Sequence, residues 1–555
     1  MRSMQFFIMF VLTLLVFHWA GAQEIGWNSS GKGGAVAAGR GEAVAAGISI
    51  LNQGGNAADA AVATLLALSI TDYGSFCIGG EVPFIIYNAR KGEVKVLCGQ
   101  GCAPLDPKAI DWYYQNGIPS KGGIKQAPVP GAVSLFFKAL QLYGTISFEQ
   151  AARPALAILD AGGGKEWYPK LAVTIRKLIE TERSKSGTRI EKLQAARDRF
   201  YKGDIADEME AFFIESGGFL RKADLAAFET RIEDPVTVKY RGYTVCKCDT
   251  WTQGPSLCQT LRLLEGFDLQ KMGRLSADYI HVLTEAMKLG FADRDMYYGD
   301  PRFVKVPLKA LLSDRYTALR RPLIDMTKAS QVVRPGDPVN MKSLKEGGVY
   351  TPWKGGTTTC TVVDRWGNMV AATPSANGPY TLFDSLGLSF STRLSSLNTS
   401  PGHPNRIEPG KRPRITLTPT IVLKDGRGYL AISVAGGDFQ EQTTLNCFLN
   451  FVEFGMMPKD AVTTPRFYTG LYEDSFNPDP DRTKTFGYHS SMKLGLTLNE
   501  GIGESVRTEL AARGHVIDIN KGSIANPVMI YLDLKTGMMY AAGDPRAGRH
   551  ASAVE

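Results

Sequence analysis

Cysteine is scarce in this chain. Eight cysteines are spread over 555 residues, and no two stand in a CxxC pair. That spacing signals neither a thiolate metal site nor a dithiol redox pair. Buried free thiols, or one or two disulfides, are the expectation. Cys246 and Cys248 fall two apart in an expected strand, where they share a face and could not readily bridge each other. Long basic runs are absent too, although 63 Lys and Arg outnumber 55 Asp and Glu for a net charge of +8. With no aromatic-interleaved basic patch, this reads as a mildly basic surface and not as a nucleic-acid binder. There is no internal repeat, no glycine-rich phosphate loop with Lys-Ser/Thr, and no dinucleotide fingerprint between a strand and a helix. Past residue 22 no segment is apolar for long enough to cross a bilayer.

What is present is ordinary globular material. Hydrophobic residues make up 44% and charged residues 21%, enough to bury a sizeable core and to argue against global disorder. The length suits two or three average domains or one large layered enzyme. Residues 1–22 begin with Arg2, continue through an apolar run from Phe6 to Phe17, and leave through Ala20-Gly21-Ala22. This is the pattern of a secretory signal peptide, and export to the periplasm or the outside of the cell is expected. The alternative is an uncleaved anchor.

Helical periodicity dominates the first part. Asn56 is placed to cap a small-residue helix through Ala63, and largely helical patterns run from Val129 to about Phe228. A helix opens at Gly254-Pro255, and another spans Tyr279 to Asp295. The latter carries His281, Glu285, Asp293 and Arg294, read as solvated or salt-bridged helix charges before a catalytic cluster. Strand pairs are expected at Val82–Tyr87 with Val94–Cys98, and within Pro235–Val245. Residues 326–351 are polar and weakly patterned and read as a mobile linker. Beyond Thr373 the pattern turns to strands at Gly428–Val434, Pro527–Leu534 and Met538–Ala542, with helices at Thr443–Phe454 and Glu504–Arg513. The expectation is a helix-rich first part and a strand-rich second part.

Between them lies Gly355-Gly356-Thr357-Thr358-Thr359-Cys360, leading into a Val/Thr strand, a turn at Asp364–Asn368 and a second strand from Met369. The two glycines leave the backbone before Thr357 free to strain. If the Thr357 hydroxyl attacked the preceding carbonyl, the Gly356–Thr357 bond would break. A terminal threonine would then carry both a nucleophile and a base, because a free α-amine titrates near pH 7.7–8.0 as a rough reference. Alone, the tripeptide is as well read as a β-branched strand edge, so the flanking sequence decides.

The flanks resemble the gamma-glutamyltranspeptidase family of N-terminal-nucleophile hydrolases. The likeness is carried by Gly54–Val62, Ile78-Gly79-Gly80, Val129-Pro130-Gly131, Tyr240-Arg241-Gly242-Tyr243 and Glu265–Leu269. It continues through Phe291–Asp295, Lys411-Arg412-Pro413 and Asp544-Pro545-Arg546. The resemblance implies an α+β fold, a four-layer αββα sandwich. It also implies a precursor that cuts itself between Gly356 and Thr357 into a large subunit (23–356) and a small subunit (357–555), which remain together as a heterodimer. The implied catalytic residues are Thr357 as nucleophile, Ser375 and Asn377 beside it, and the amides of Gly436 and Gly437 as the oxyanion site. No metal and no organic cofactor is implied. The implied partner is a small-molecule amide or peptide substrate.

Departures from the family pattern fall on the substrate contacts. Gln100 stands where the classical members have an arginine for the substrate carboxylate, and Ile415-Thr416 stands where they have two serines. Ser396 replaces the acidic partner of the substrate amine, and Thr359 replaces a histidine. Losing the cation for a buried carboxylate removes a charge-assisted pair, a loss on the order of several kcal/mol. Arg393 and Arg414 are the candidate replacement cations, and each could equally be a surface residue. The pattern is closer to the family's divergent amidohydrolase and acylase branches, such as oxamate amidohydrolase and cephalosporin acylase. True γ-glutamyl transfer or glutathione hydrolysis with a rebuilt pocket is the first rival reading. A catalytically inactive exported binding homologue is the second.

Overall fold

The computed structural model describes residues 25–119, 122–162, 164–344, 356–376, 381–476 and 495–555. The proposed signal segment, Asn377 and the end of the expected linker (345–351) lie outside the described residues.

Two seven-stranded antiparallel sheets form the centre. One runs Asn28–Gly31, Met539–Gly543, Asn526–Leu532, Arg427–Ala435, Thr420–Lys424, Tyr243–Lys247 and Val236–Tyr240 in order across the sheet. The other runs His550–Val554, Gly34–Ala38, Cys360–Asp364, Met369–Ala372, Val82–Asn88, Glu93–Gly99 and Arg231–Glu233.

Side-chain alternation explains the layering. Successive strand residues face opposite ways, so Ala35, Ile85, Val363 and Ala371 meet Ile421, Ala431, Val528 and Ile530 between the sheets. Their neighbours Val36, Phe84, Val362 and Val370 pack outward under helices such as Gly41–Asn52 and Ala57–Thr71. On the far side, Leu430, Ile432 and Val434 pack under Gly254–Leu264, Ala277–Tyr297 and Phe439–Val452. The inner strands of both sheets are buried on both faces, while edge strands such as Asn28–Gly31 and Val236–Tyr240 are partly exposed, and the result is the αββα sandwich expected.

Local signals account for many boundaries. Asn56 caps the helix Ala57–Thr71 in a full capping box with Asp59. The hairpin Val82–Asn88/Glu93–Gly99 forms as read. Among the described residues most helices do lie ahead of Thr357, but the strands are not divided the same way. Ahead of Thr357 the chain gives three strands to the first sheet and four to the second; after it, four and three. The strand Gly34–Ala38 is made of glycine, alanine and valine, so its composition carries little strand preference. It is a strand because it fits between Cys360–Asp364 and His550–Val554 at zero exposure.

The first part of the expected linker is pinned. The Ala329 amide donates to the Arg513 carbonyl at 2.8 Å, the Gly336 amide to Asp293 at 2.8 Å, and Lys288 Nζ to the Ser330 carbonyl at 2.7 Å. All eight cysteines are free thiols, seven of them buried.

Candidate active site

Thr357 stands three residues ahead of the strand Cys360–Asp364, and Ser375 three residues beyond Ala372 on its hairpin partner. The two residues form a single antiparallel bridge. Thr357 Oγ1 and Ser375 Oγ are 3.2 Å apart, and the Ser375 hydroxyl donates to the Gly356 carbonyl oxygen at 2.6 Å. The intact peptide bond between Gly356 and Thr357 is therefore flanked by two hydroxyls. Gly356 is glycine for space and not for an unusual dihedral. A Cβ there would lie 2.3 Å from the Gly74 carbonyl oxygen and 2.8 Å from Ser75 Cα.

Ser375 is held on its other edge by Glu81, whose backbone exchanges two hydrogen bonds with it at 2.9 and 3.0 Å. Arg393 reaches in from the short turn Arg393–Ser396. Its Nη2 donates to Ser375 Oγ at 2.7 Å and its Nε to Glu81 Oε1 at 2.6 Å. Burial pushes the Glu81 carboxyl up, and Arg393 opposes that shift.

The glycine pair Gly436-Gly437 follows the strand Arg427–Ala435. That strand lies across the inter-sheet layer from Met369–Ala372, and Thr373 Oγ1 meets Ser433 Oγ at 2.9 Å. The two strands thus run out at the same end of the sandwich. Gly436 (φ 146°) and Gly437 (φ 60°) both occupy the positive-φ region, which glycine enters at little cost. Among the described residues neither glycine amide has a hydrogen-bond acceptor. Both precede the N-terminus of Phe439–Val452, whose helix dipole favours negative charge there. The Gly437 carbonyl is held by Gln253 Nε2 at 3.2 Å.

The family model for gamma-glutamyltranspeptidase matches this chain over residues 43–184 and 167–554. The chain belongs to the gamma-glutamyltranspeptidase family. It is 28% identical to the glutathione hydrolase proenzyme of Bacillus subtilis (strain 168), over 94% of this chain and 92% of that one. It is equally 28% identical to the acylase ACY 1 proenzyme of Pseudomonas sp. (strain SE83), over 88% of each. Among solved structures, that of LmbA2991T421A superposes with a TM-score of 0.84 at 31% identity, covering 95% of this chain and 99% of that one.

The residues expected to contact substrate in this family member are all buried: Gln100, Arg393, Ser396, Arg414 and Thr416. Neither arginine is a surface residue. Each of the five carries a buried polar atom without a hydrogen-bond partner among the described residues: Gln100 Oε1, Arg393 Nη1, Ser396 Oγ, Arg414 Nη1 and Thr416 Oγ1. Arg414 approaches Asp295 at 3.9 Å, and one other cation, Arg294, and two other acids, Glu473 and Asp438, share that cluster.

Several supporting residues escaped sequence reasoning. Of the two readings given for the helix charges at 281–295, the salt-bridged one holds for Glu285, Asp293 and Arg294, all buried, while His281 is buried against His515 and the Asp325 carbonyl. Arg294 donates to Asp438, the residue after the glycine pair, and to Gln253 Oε1 at 2.9 Å. Its place in the Phe291–Asp295 motif was the available signal. Glu81 follows the Ile78-Gly79-Gly80 motif directly. Phe476 had none. Its ring would lie 3.1 Å from a Cβ on Gly437 and is 5.4 Å from the Arg393 guanidinium carbon, so it spans the two sides of the site.

Among the described residues no helix is long and apolar enough to cross a membrane, and no group of three or more His, Cys, Asp or Glu could hold a metal ion.

Proposed function

We propose that this protein is a self-processing amide hydrolase or acyltransferase whose nucleophile is Thr357, freed as the N-terminus of a 199-residue small subunit (357–555). The observation that carries the proposal is the triad of oxygens at the intact bond: Thr357 Oγ1, Ser375 Oγ and the Gly356 carbonyl. An acyl transfer needs a nucleophile, a proton acceptor within reach, and amides aimed at the developing negative charge. After cleavage the Thr357 hydroxyl attacks the substrate carbonyl and its own α-amine takes the proton. The Gly436 and Gly437 amides receive the oxyanion. Water or an acceptor amine then releases the acyl group from the threonine ester. Asn377 is proposed as a further contact beside the nucleophile. The amino-terminal 22 residues are proposed as an export signal, removed before the enzyme acts outside the cytoplasm.

The buried polar side chains of Gln100, Arg393, Ser396, Arg414 and Thr416, each with an atom that no hydrogen bond meets among the described residues, support a polar acyl group as the ligand. Buried donors and acceptors of this kind are costly unless a ligand meets them. A γ-glutamyl head group is the rival, favoured by the name of the Bacillus subtilis relative. Mass spectrometry of the purified protein tests the cleavage, with Thr357→Ala as control. A panel of amide substrates that includes γ-glutamyl-p-nitroanilide then separates the two acyl classes. Turnover of that compound at the rate of the best amide would move the assignment to γ-glutamyl chemistry. A single uncut chain of full activity would end the proposal.

A further inference from the structure

The hydrogen bonds around Ser375 fix where its proton lies. A serine hydroxyl offers one donor and two acceptor sites, a guanidinium only donates, and a carbonyl oxygen only accepts. Arg393 Nη2, at 2.7 Å, therefore occupies one acceptor site of Ser375 Oγ. The Gly356 carbonyl oxygen, at 2.6 Å, takes the single proton. One acceptor site remains, and Thr357 Oγ1 at 3.2 Å must donate to it. The arrangement has one direction: Thr357 to Ser375 to the carbonyl of the bond that is to break.

We propose that Arg393 is a positioning residue of self-cleavage, orienting the Ser375 hydroxyl onto the Gly356 carbonyl and placing a positive charge two hydrogen bonds from that carbonyl oxygen, through Ser375 Oγ. This rests on the self-processing reading above and assigns within it a residue whose guanidinium would otherwise be taken only as a substrate contact. Arginine suits the task because its planar fork reaches two partners at once, Glu81 through Nε and Ser375 through Nη2. Glu81 fixes the fork from its far edge and is itself tied to Ser375 by two backbone hydrogen bonds. Phe476 lies against the guanidinium, and Arg393 is fully buried, so water does not compete for the contact.

The step balances without any added reagent. As Thr357 Oγ1 bonds to the Gly356 carbonyl carbon, its proton passes to Ser375 Oγ, and the Ser375 proton passes to the former carbonyl oxygen. The neutral tetrahedral adduct collapses by breaking the bond from the Gly356 carbonyl carbon to the Thr357 nitrogen. The hydroxyl proton of the adduct returns to that nitrogen as the α-amine leaves. Water then hydrolyses the ester, giving the Gly356 carboxylate and the free Thr357 hydroxyl. Both transfers pass through Ser375 Oγ, the oxygen that accepts from Arg393, so any negative charge that develops on it during the relay is met by a charge-assisted hydrogen bond.

The test follows cleavage of the full-length chain after pulse-labelled cell-free synthesis. The variants are Glu81→Gln/Arg393→Met, which removes both buried charges together, Arg393→Lys, Ser375→Ala, and the triple combination. Folding of each is checked by circular dichroism on chains locked with Thr357→Ala. The double variant is expected to cut about 10- to 100-fold more slowly than wild type, the range for losing a charge-assisted hydrogen bond. Arg393→Lys should fall in between, since one ammonium cannot replace the fork. On the Ser375→Ala background the same double change should add less than about twofold, because the effect passes through Ser375. Wild-type rates in the double variant, or an equal further loss on the Ser375→Ala background, overturn the proposal. If the double variant does not fold, Arg393→Lys decides, and a wild-type rate there overturns it. A wild-type chain left uncut at Gly356–Thr357 sinks the self-processing reading and this one together. Normal cutting that needs Ser375 but not Arg393 sinks this one alone.

Discussion

Arg294 and Asp438 form an ion pair in which neither side chain is more than 2% exposed. The pair ties the helix Ala277–Tyr297 to the residue immediately after Gly436-Gly437, so a charge inside one layer sets the position of the candidate oxyanion amides. Arg294 also satisfies Asp295 at 2.7 Å and the Glu473 carbonyl at 3.0 Å. Arg294→Met would strand two buried carboxylates. Breaking a buried pair from one side costs about 3–5 kcal/mol, and urea unfolding of a Thr357→Ala chain carrying the change should show a loss of that order. A loss below about 1 kcal/mol would mean that the cluster finds other partners.

Thr357→Ala should leave one uncut chain with amide hydrolysis at background, because it removes the hydroxyl proposed for both reactions. Thr357→Ser should still cut. The wild-type fragments should elute as one particle without denaturant, since strands from both sides of Thr357 alternate through both sheets. Gel filtration followed by denaturing electrophoresis reads cleavage and association, and an amide-hydrolysis assay reads the activity. Free small fragment in native buffer would contradict the interleaved topology.

Gly356→Ala tests the geometry ahead of the bond separately from the chemistry after it. The added methyl meets the Gly74 carbonyl at 2.3 Å and backbone cannot yield as a side-chain tip can. Overpacking of this kind costs about 1–3 kcal/mol and moves the Gly356 carbonyl off the Ser375 hydroxyl. Cleavage should slow by about tenfold or more per 1.4 kcal/mol lost from the aligned state, with the slowing measured by a time course of band intensities. Once cut, the small subunit carries no trace of the substitution, so activity per cut molecule should equal wild type.

The layered fold is reached through the family resemblance, and individual elements and the stretch around Thr357 through contiguous signals. Asn56 ahead of a small-residue helix and the valines of Cys360–Asp364 announce their elements locally. The strand Gly34–Ala38 does not, because its identity comes from two neighbours more than 300 residues away in the chain. The same distinction divides the site. Thr357, Ser375 and the glycine pair lie in short recognisable motifs, whereas the link from Arg393 to Ser375 and Glu81 joins three separate segments. Spacing alone could mark Arg393 as a cation without showing which group it faces. Phe476 stands outside every motif and is found only through its contact with Gly437 and Arg393.

Asp474, two residues before Phe476, also carries a pH dependence. Burial, reinforced by the neighbouring Asp438 charge, pushes the Asp474 carboxyl up to about 7, while the Phe476 amide and Arg294 pull the other way and Glu473 adds to the rise. A carboxyl with a raised folded-state value is protonated in the folded chain while already ionised in the unfolded one. Its contribution to stability is therefore complete below about pH 4 and is lost as pH climbs to 7. Asp295, raised to about 6 by burial, acts in the same sense over part of that window. Asp474→Asn keeps an oxygen for the Phe476 amide, now 2.9 Å away, and removes the ionisation. The variant should match wild type at pH 4 and exceed it at pH 8, by at most about 4 kcal/mol at 1.36 kcal/mol per unit. Thermal unfolding at the two pH values, on chains locked with Thr357→Ala, measures the difference. Equal gains at both pH values would assign the effect to packing, and a loss at pH 8 would mean that the ionised carboxylate is held by Arg294 more strongly than burial opposes it.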